Sequence, residues 1–152
     1  VQSIADILKN KFNEFEDVVL LGDSAGGFYI NYLFNYYGDL FDTVKVSKVI
    51  LIHPFTGHLN NGILSGLFKT YLMRGVKYIT KKQIPRPTLL ITSPKDLFHK
   101  ESEERSNYLE PGSSYVSIDC HSCFHDFPFA NFNFDVTKTV LDEIKNFCVV
   151  EP

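Results

Sequence analysis

The chain has 152 residues, 44% of them hydrophobic and 22% charged, and a formal net charge of −3. That length suffices for one domain burying about 70% of its unfolded surface, and the acidic balance gives no electrostatic basis for a nucleic-acid partner. No apolar run approaches the ~20 residues of a membrane span and no signal-peptide pattern opens the chain; the three cysteines, Cys120, Cys123 and Cys148, form no dense framework and fit a reducing, intracellular setting, with a Cys120–Cys123 pair as the alternative.

Ser3 to Asp6 read as a helix N-cap with an acidic third position. Ile4, Ile7, Leu8, Phe12 and Phe15 recur at helical spacing, so the first helix is expected to run to about Phe15. Val18–Leu21 follows, apolar on both faces, and therefore reads as a central, parallel strand, yet in this chain it would be a sheet edge. After Gly22–Gly27 an aromatic-rich helix is expected over Phe28–Tyr37, buried on most sides and stopped by Gly38. Lys48–His53 is a second apolar strand, closed by Pro54.

Residues 57–83 carry apolar positions at helical spacing, from Ile63 to Ile79, interrupted by Gly62, Gly66 and Gly75. They read either as ordinary covering helices or as a cap or lid segment lining an acyl pocket. Thr88–Ser93 is a third buried strand, Lys100 to Leu109 a charged helix, and Ser114–Asp119 a fourth, more alternating strand. A loop rich in His, Asp and Phe spans Cys120–Phe129, and Asp135 caps a last helix carrying Val136, Val140, Leu141, Ile144 and Phe147. Strands alternating with helices predict an α/β fold: one domain, or part of one, around a parallel sheet of about four strands with flanking helices.

The motif with chemical content is Gly22-Asp23-Ser24-Ala25-Gly26-Gly27 between a strand and a helix. In that context G-x-S-x-G is a nucleophile elbow. A serine on so sharp a turn is driven toward a strained backbone, and the chain on either side passes so closely that Gly22 and Gly26 must be small. Gly27 lets the helix approach the sheet. The Ala25 N–H, at the helix N-terminus, faces a developing oxyanion. The bland alternative is a Gly/Ser turn holding a phosphate, but the nucleotide-loop patterns are absent.

Ligands of open α/β sheets collect at the carboxyl ends of the strands, and the loops leaving those ends carry Ser24, His53, Asp96 and His125. A serine hydroxyl needs a base, and an imidazole needs a carboxylate to fix its tautomer. Ser24, Asp96, His125 is the chain order of the α/β-hydrolase fold. Asp96 reads alternatively as an Asx turn or helix cap, with Glu101 and Asp119 in reserve as the acid. His121 is the rival to His125, whereas His53, before a proline, reads as structural or as a pocket wall, and His58 and His99 as loop surface. Cys120-x-x-Cys123 beside His121 and His125 lacks a second distant ligand pair, so no metal is expected.

Gly22–Gly27 in its strand–helix setting closely resembles the elbow of the hormone-sensitive-lipase-like esterases. Asp96-Leu97 resembles their Asp-x-Leu acid motif, and His125-Asp126-Phe127 is similar to their His-Gly-Phe base motif, with Asp126 in place of glycine. Lys48–His53 ending in Pro54 is similar to their Ser-Pro strand end, with His53 in place of serine. The resemblance implies an α/β-hydrolase cleaving acyl or acetyl esters of hydrophobic alcohols, without cofactor, and brings a steryl-acetate deacetylase-like branch to mind. Asp23, Phe55, Leu97 and Phe127 would then face a small hydrophobic substrate, in an apolar pocket to which Phe129, Phe132, Phe134 and the Ile63–Ile79 segment also contribute; the phenylalanines and that segment read equally well as core packing.

That family carries a His-Gly-Gly-Gly segment upstream of the elbow, and only 23 residues precede Ser24 here, with no such run among them. The fold is therefore expected without its N-terminal strands, as the C-terminal half of a hydrolase whose other half is supplied in cis or in trans. An N-terminal segment of that kind could bring membrane association, including with the endoplasmic reticulum. The competing expectations are a weak or inactive half-domain serving as a binding or regulatory module, and an amidase, peptidase or acyltransferase of the same fold.

Overall fold

Val46–Ile52 and Thr88–Thr92 are apolar along almost their whole length, and such strands are stable only with both faces covered. The computed structural model, which describes residues 1–55, 83–119 and 134–149, covers them. In chain order the elements are α1 (Gln2–Lys11), β1 (Val18–Asp23), α2 (Ala25–Tyr36), α3 (Leu40–Thr43), β2 (Val46–Ile52), β3 (Thr88–Thr92), α4 (His99–Ser106), β4 (Ser114–Ser117) and α5 (Phe134–Val149). The four strands form one sheet in the order β1-β2-β3-β4, and every pair is parallel.

The period of two along a strand sorts these apolar residues between the two faces. Val49, Leu51 and Leu90 join Ile30 and Leu33 of α2, Ala5 and Leu8 of α1, and Leu40 and Val44. Ile50, Ile52, Leu89 and Ile91 point the other way and meet Val136 and Val140 of α5. Lys48 fastens that second layer. Only 9% exposed, it donates Nζ to the carbonyls of Phe147 at 2.9 Å and Cys148 at 3.3 Å and stands 5.5 Å from the centre of the Phe147 ring. The last carbonyls of a helix have no partner within it, so a strand lysine caps the end of α5.

Several expectations are corrected. α1 stops at Lys11, with Phe12 and Phe15 in ring contact beyond it. Its buried positions are Ala5 and Leu8, while Ile4 and Ile7 are exposed, because the helix leans on the one-turn α3 and buries only a narrow stripe. Ser3 lies inside α1; the Val1 carbonyl accepts from the Ile4 and Ala5 N–H groups and no side chain caps the helix. α2 begins at Ala25, three residues earlier than the aromatic run indicated. α3 itself is too short to leave a periodic signal. β1 extends to Asp23, two residues further than expected, and lies at the edge of the four described strands as expected of this chain, leaving Val19 37% and Leu21 52% exposed. β4 does not alternate: it is half-buried from Ser114 to Val116, as an outer strand with partly covered faces should be.

Candidate active site

Ser24 has φ 49° and ψ −113°, a combination costly to any residue with a Cβ. The surroundings fix it from three sides. The Ser24 N–H donates to the Ile52 carbonyl at 2.9 Å, extending the β1–β2 ladder, while the Ser24 carbonyl accepts from the N–H groups of Gly27 at 3.1 Å and Phe55 at 3.0 Å. The serine side chain makes no capping bond to α2, so Oγ is not committed to the helix it precedes. Ala25 is the first residue of α2, and its N–H is one of the four that no helical carbonyl can take.

The glycines divide in an instructive way. A Cβ on Gly22 would stand 2.6 Å from the Gly26 carbonyl carbon and 2.7 Å from both the Gly27 nitrogen and Ile30 Cδ1. One on Gly27 would meet Pro54 Cβ at 2.6 Å, so the close approach of α2 to the end of β2 requires the bare Cα. Gly26 differs from expectation: nothing among the described residues lies within 4 Å of its Cβ position. The elbow needs smallness before the serine and at Gly27, and leaves open space at Gly26.

Asp96 lies in the turn after β3. Its N–H donates to the Ser93 carbonyl at 3.0 Å, and its Oδ1 accepts the Phe98 N–H at 2.7 Å. The Asx-turn reading and the acid reading thus describe the same carboxylate, because the turn holds it in place. Its Oδ2 is 3.2 Å from Nδ1 of His53, and both side chains are fully buried. Of the reserve acids, Asp119 is exposed and Glu101 acts on Arg105 one turn along α4. Burial pushes the Arg105 guanidinium down to about 10, with Glu101 opposing that shift.

His53, read from the sequence as structural or as a pocket wall, is fully buried. The structure pairs it with the proposed acid. The signal was present: a histidine closing an apolar strand, directly before a proline, at the carboxyl edge where the site residues collect.

Phe55, expected to line the pocket, is only 2% exposed and belongs to an aromatic core with Phe28, Tyr32 and Phe98. Its ring centre lies 5.7 Å from that of Phe28 and 5.4 Å from that of Phe98. It packs the elbow against the acid loop instead of presenting a wall. Asp23 and Leu97 are exposed, and Phe134, at the start of α5, is 78% exposed. The candidate base His125, its rival His121, Phe127, the Cys120 and Cys123 pair and residues 57–82 of the possible cap segment lie outside the described residues. Among the described residues no group of three His, Cys, Asp or Glu side chains converges as a metal site would require.

A parallel sheet wrapped by helices, with a strained serine between a strand end and a helix N-terminus, is the α/β-hydrolase fold. Comparison with known proteins agrees. The chain matches no protein-family model and no curated protein. Among solved structures it superposes on EstE1, a thermostable carboxylesterase cloned from a metagenomic library, with TM-score 0.59 and 17% identity over 99% of this chain and 61% of that one. An esterase of Pyrobaculum calidifontis gives TM-score 0.58 and 19% identity over 97% of this chain and 59% of its own. A candidate non-heme bromoperoxidase, BpoC of Mycobacterium tuberculosis, gives 0.56 and 14% over 96% and 71%. The chain therefore spans about 60% of the length of the two esterases.

Proposed function

We propose that the chain carries the catalytic elements of a serine carboxylic-ester hydrolase. The observation behind this reading is the Ser24 backbone: φ 49° and ψ −113° in a residue that does not cap its helix. Strain of that kind persists where the surroundings over-determine it, and here it lifts Oγ to the end of the sheet.

Ser24 attacks the ester carbonyl and forms an acyl-enzyme. The Ala25 N–H donates to the oxyanion, and the dipole of α2 favours the negative charge there. His125 takes the serine proton and then delivers it to the departing alcohol, and Asp96 fixes the imidazole tautomer. Water repeats the sequence and releases the acid. The substrates are acyl or acetyl esters of hydrophobic alcohols, with a steryl acetate as the most specific form of the proposal. A further N-terminal part of the hydrolase fold, in cis or in trans, adds oxyanion donors and covers the edge of β1.

Hydrolysis of p-nitrophenyl acetate tests the reading. The parent protein turns it over, and Ser24→Ala brings the rate to that of buffer. Asp96→Asn lowers kcat on the order of 10³-fold or more. Equal rates for the parent and Ser24→Ala would overturn the proposal.

A further inference from the structure

Two non-glycine residues among those described have positive φ: Ser24 at 49° and His53 at 45°. They stand abreast, because Asp23 pairs with Ile52 in the β1–β2 ladder and each is the next residue along its strand. His53 is stitched into both neighbours. Its own N–H donates to the Ile91 carbonyl at 3.0 Å, extending the β2–β3 ladder, while the residues on either side of the His53-Pro54 pair bind the elbow: the Ile52 carbonyl accepts from the Ser24 N–H, and the Phe55 N–H donates to the Ser24 carbonyl. This strained segment thus joins the nucleophile strand to the strand that carries the acid.

The side chain continues the same connection. A carboxylate removed from water needs donors on its oxygens. Asp96 Oδ1 accepts the Phe98 N–H at 2.7 Å, and His53 Nδ1 stands 3.2 Å from Oδ2, within ion-pair distance of the carboxylate. With its side chain fully buried, His53 is poorly placed to exchange protons with a substrate.

We propose that His53 is a positioning residue: as the Nδ1–H tautomer it clamps the Asp96 carboxylate from the β2 side and holds acid loop and Ser24 elbow in one geometry. The proposal rests on the hydrolase reading above for its catalytic consequence, but not for the pairing itself.

Two readouts on the same protein separate the two. The first is the tautomer, read by nuclear magnetic resonance on the protein labelled with ¹⁵N-histidine. His53 appears as the Nδ1–H form, and Asp96→Asn, which replaces a charged acceptor by a neutral one, moves that proton upfield. A Nε2–H tautomer, or a proton indifferent to Asp96→Asn, overturns the proposal whether or not the protein is active. The second is steady-state hydrolysis of p-nitrophenyl acetate. His53→Leu lowers kcat about 10- to 100-fold with KM within about threefold, since positioning errors act on the transition state. His53→Asn, which keeps a donor near the Nδ1 position and tolerates positive φ, recovers most of the loss. Equal kcat in His53→Leu and the parent, or equal loss in the Leu and Asn variants, also overturns it. A parent that shows no Ser24-dependent turnover defeats the hydrolase reading, and the tautomer then decides the pairing alone.

Discussion

Gly22 is the position at which the geometry of the elbow can be tested without touching its chemistry. In Gly22→Ala the new methyl would sit 2.6 Å from the Gly26 carbonyl carbon and 2.7 Å from the Gly27 nitrogen, both backbone atoms of the first turn of α2, and 2.7 Å from Ile30 Cδ1. The isoleucine methyl can rotate away; the two backbone atoms can move only if α2 or β1 moves. Overpacking of this kind costs about 1–3 kcal/mol, and the loss of unfolded-state entropy on replacing glycine returns about 0.4–1 kcal/mol. A net destabilisation of about 1.3 kcal/mol follows from the middle of these ranges. Gly26→Ala is the matched control: nothing among the described residues lies within 4 Å of its Cβ position, and alanine in a helix gains up to about 1 kcal/mol over glycine. The two variants therefore differ by about 2 kcal/mol. Urea unfolding followed by circular dichroism reads this as midpoints on the order of 1.5 M apart for a slope near 1.5 kcal/mol per M. If Gly22→Ala lies within about 0.5 kcal/mol of the parent, or is no less stable than Gly26→Ala, the close-approach argument is wrong.

Ser24→Gly removes the Cβ from a left-handed conformation and is expected to raise stability by about 1 kcal/mol in the same unfolding assay while abolishing turnover. Lys48→Met leaves the Phe147 and Cys148 carbonyls without their strand donor; a loss of about 1–2 kcal/mol is expected, and faster amide exchange confined to the last turns of α5 would locate it. Glu101→Gln removes the charge that offsets the burial of Arg105, and the thermal midpoint at pH 7 should fall by several degrees, on the order of 1 kcal/mol. Burial, with Glu103 adding to it, raises the Tyr115 phenol above its ordinary value, partly offset by its bond to Ser117. A phenol held neutral in the fold contributes stability fully below the unfolded value near 10 and loses it as the pH rises through the folded value. Tyr115→Phe should therefore shallow the alkaline fall in stability, and an unchanged slope would count against the shift.

The parts of this fold that could be read from the sequence are those in which one local rule decides. β2 and β3 are uninterrupted apolar runs with turn residues at each end, and both lie within a residue or two of their expected bounds. The elbow was recognisable because close approach sets its small residues, of the α2 backbone to Gly22 and of Pro54 to Gly27. Harder to read were features set by what an element packs against. Ile4 and Ile7 fit a helical stripe as well as Leu8 does, and only the contact with α3 decides that Leu8 is buried and they are not. Phe55 has the character of a pocket residue, yet it is held by Phe28 and Phe98, distant in sequence. His53 illustrates both aspects. Its place at a strand end was visible, but its pairing with Asp96 depends on the β2–β3 register and on a left-handed φ that sequence does not announce.

The claim on which the account depends is that Ser24 is an activated nucleophile. Intact-mass spectrometry after treatment with a fluorophosphonate tests it most directly, because the reagent phosphonylates an activated serine and adds a fixed mass. The parent protein should gain one adduct per chain, the modified residue should map to Ser24, and Ser24→Ala should gain none. No adduct on the parent, or equal labelling of parent and Ser24→Ala, would contradict the account.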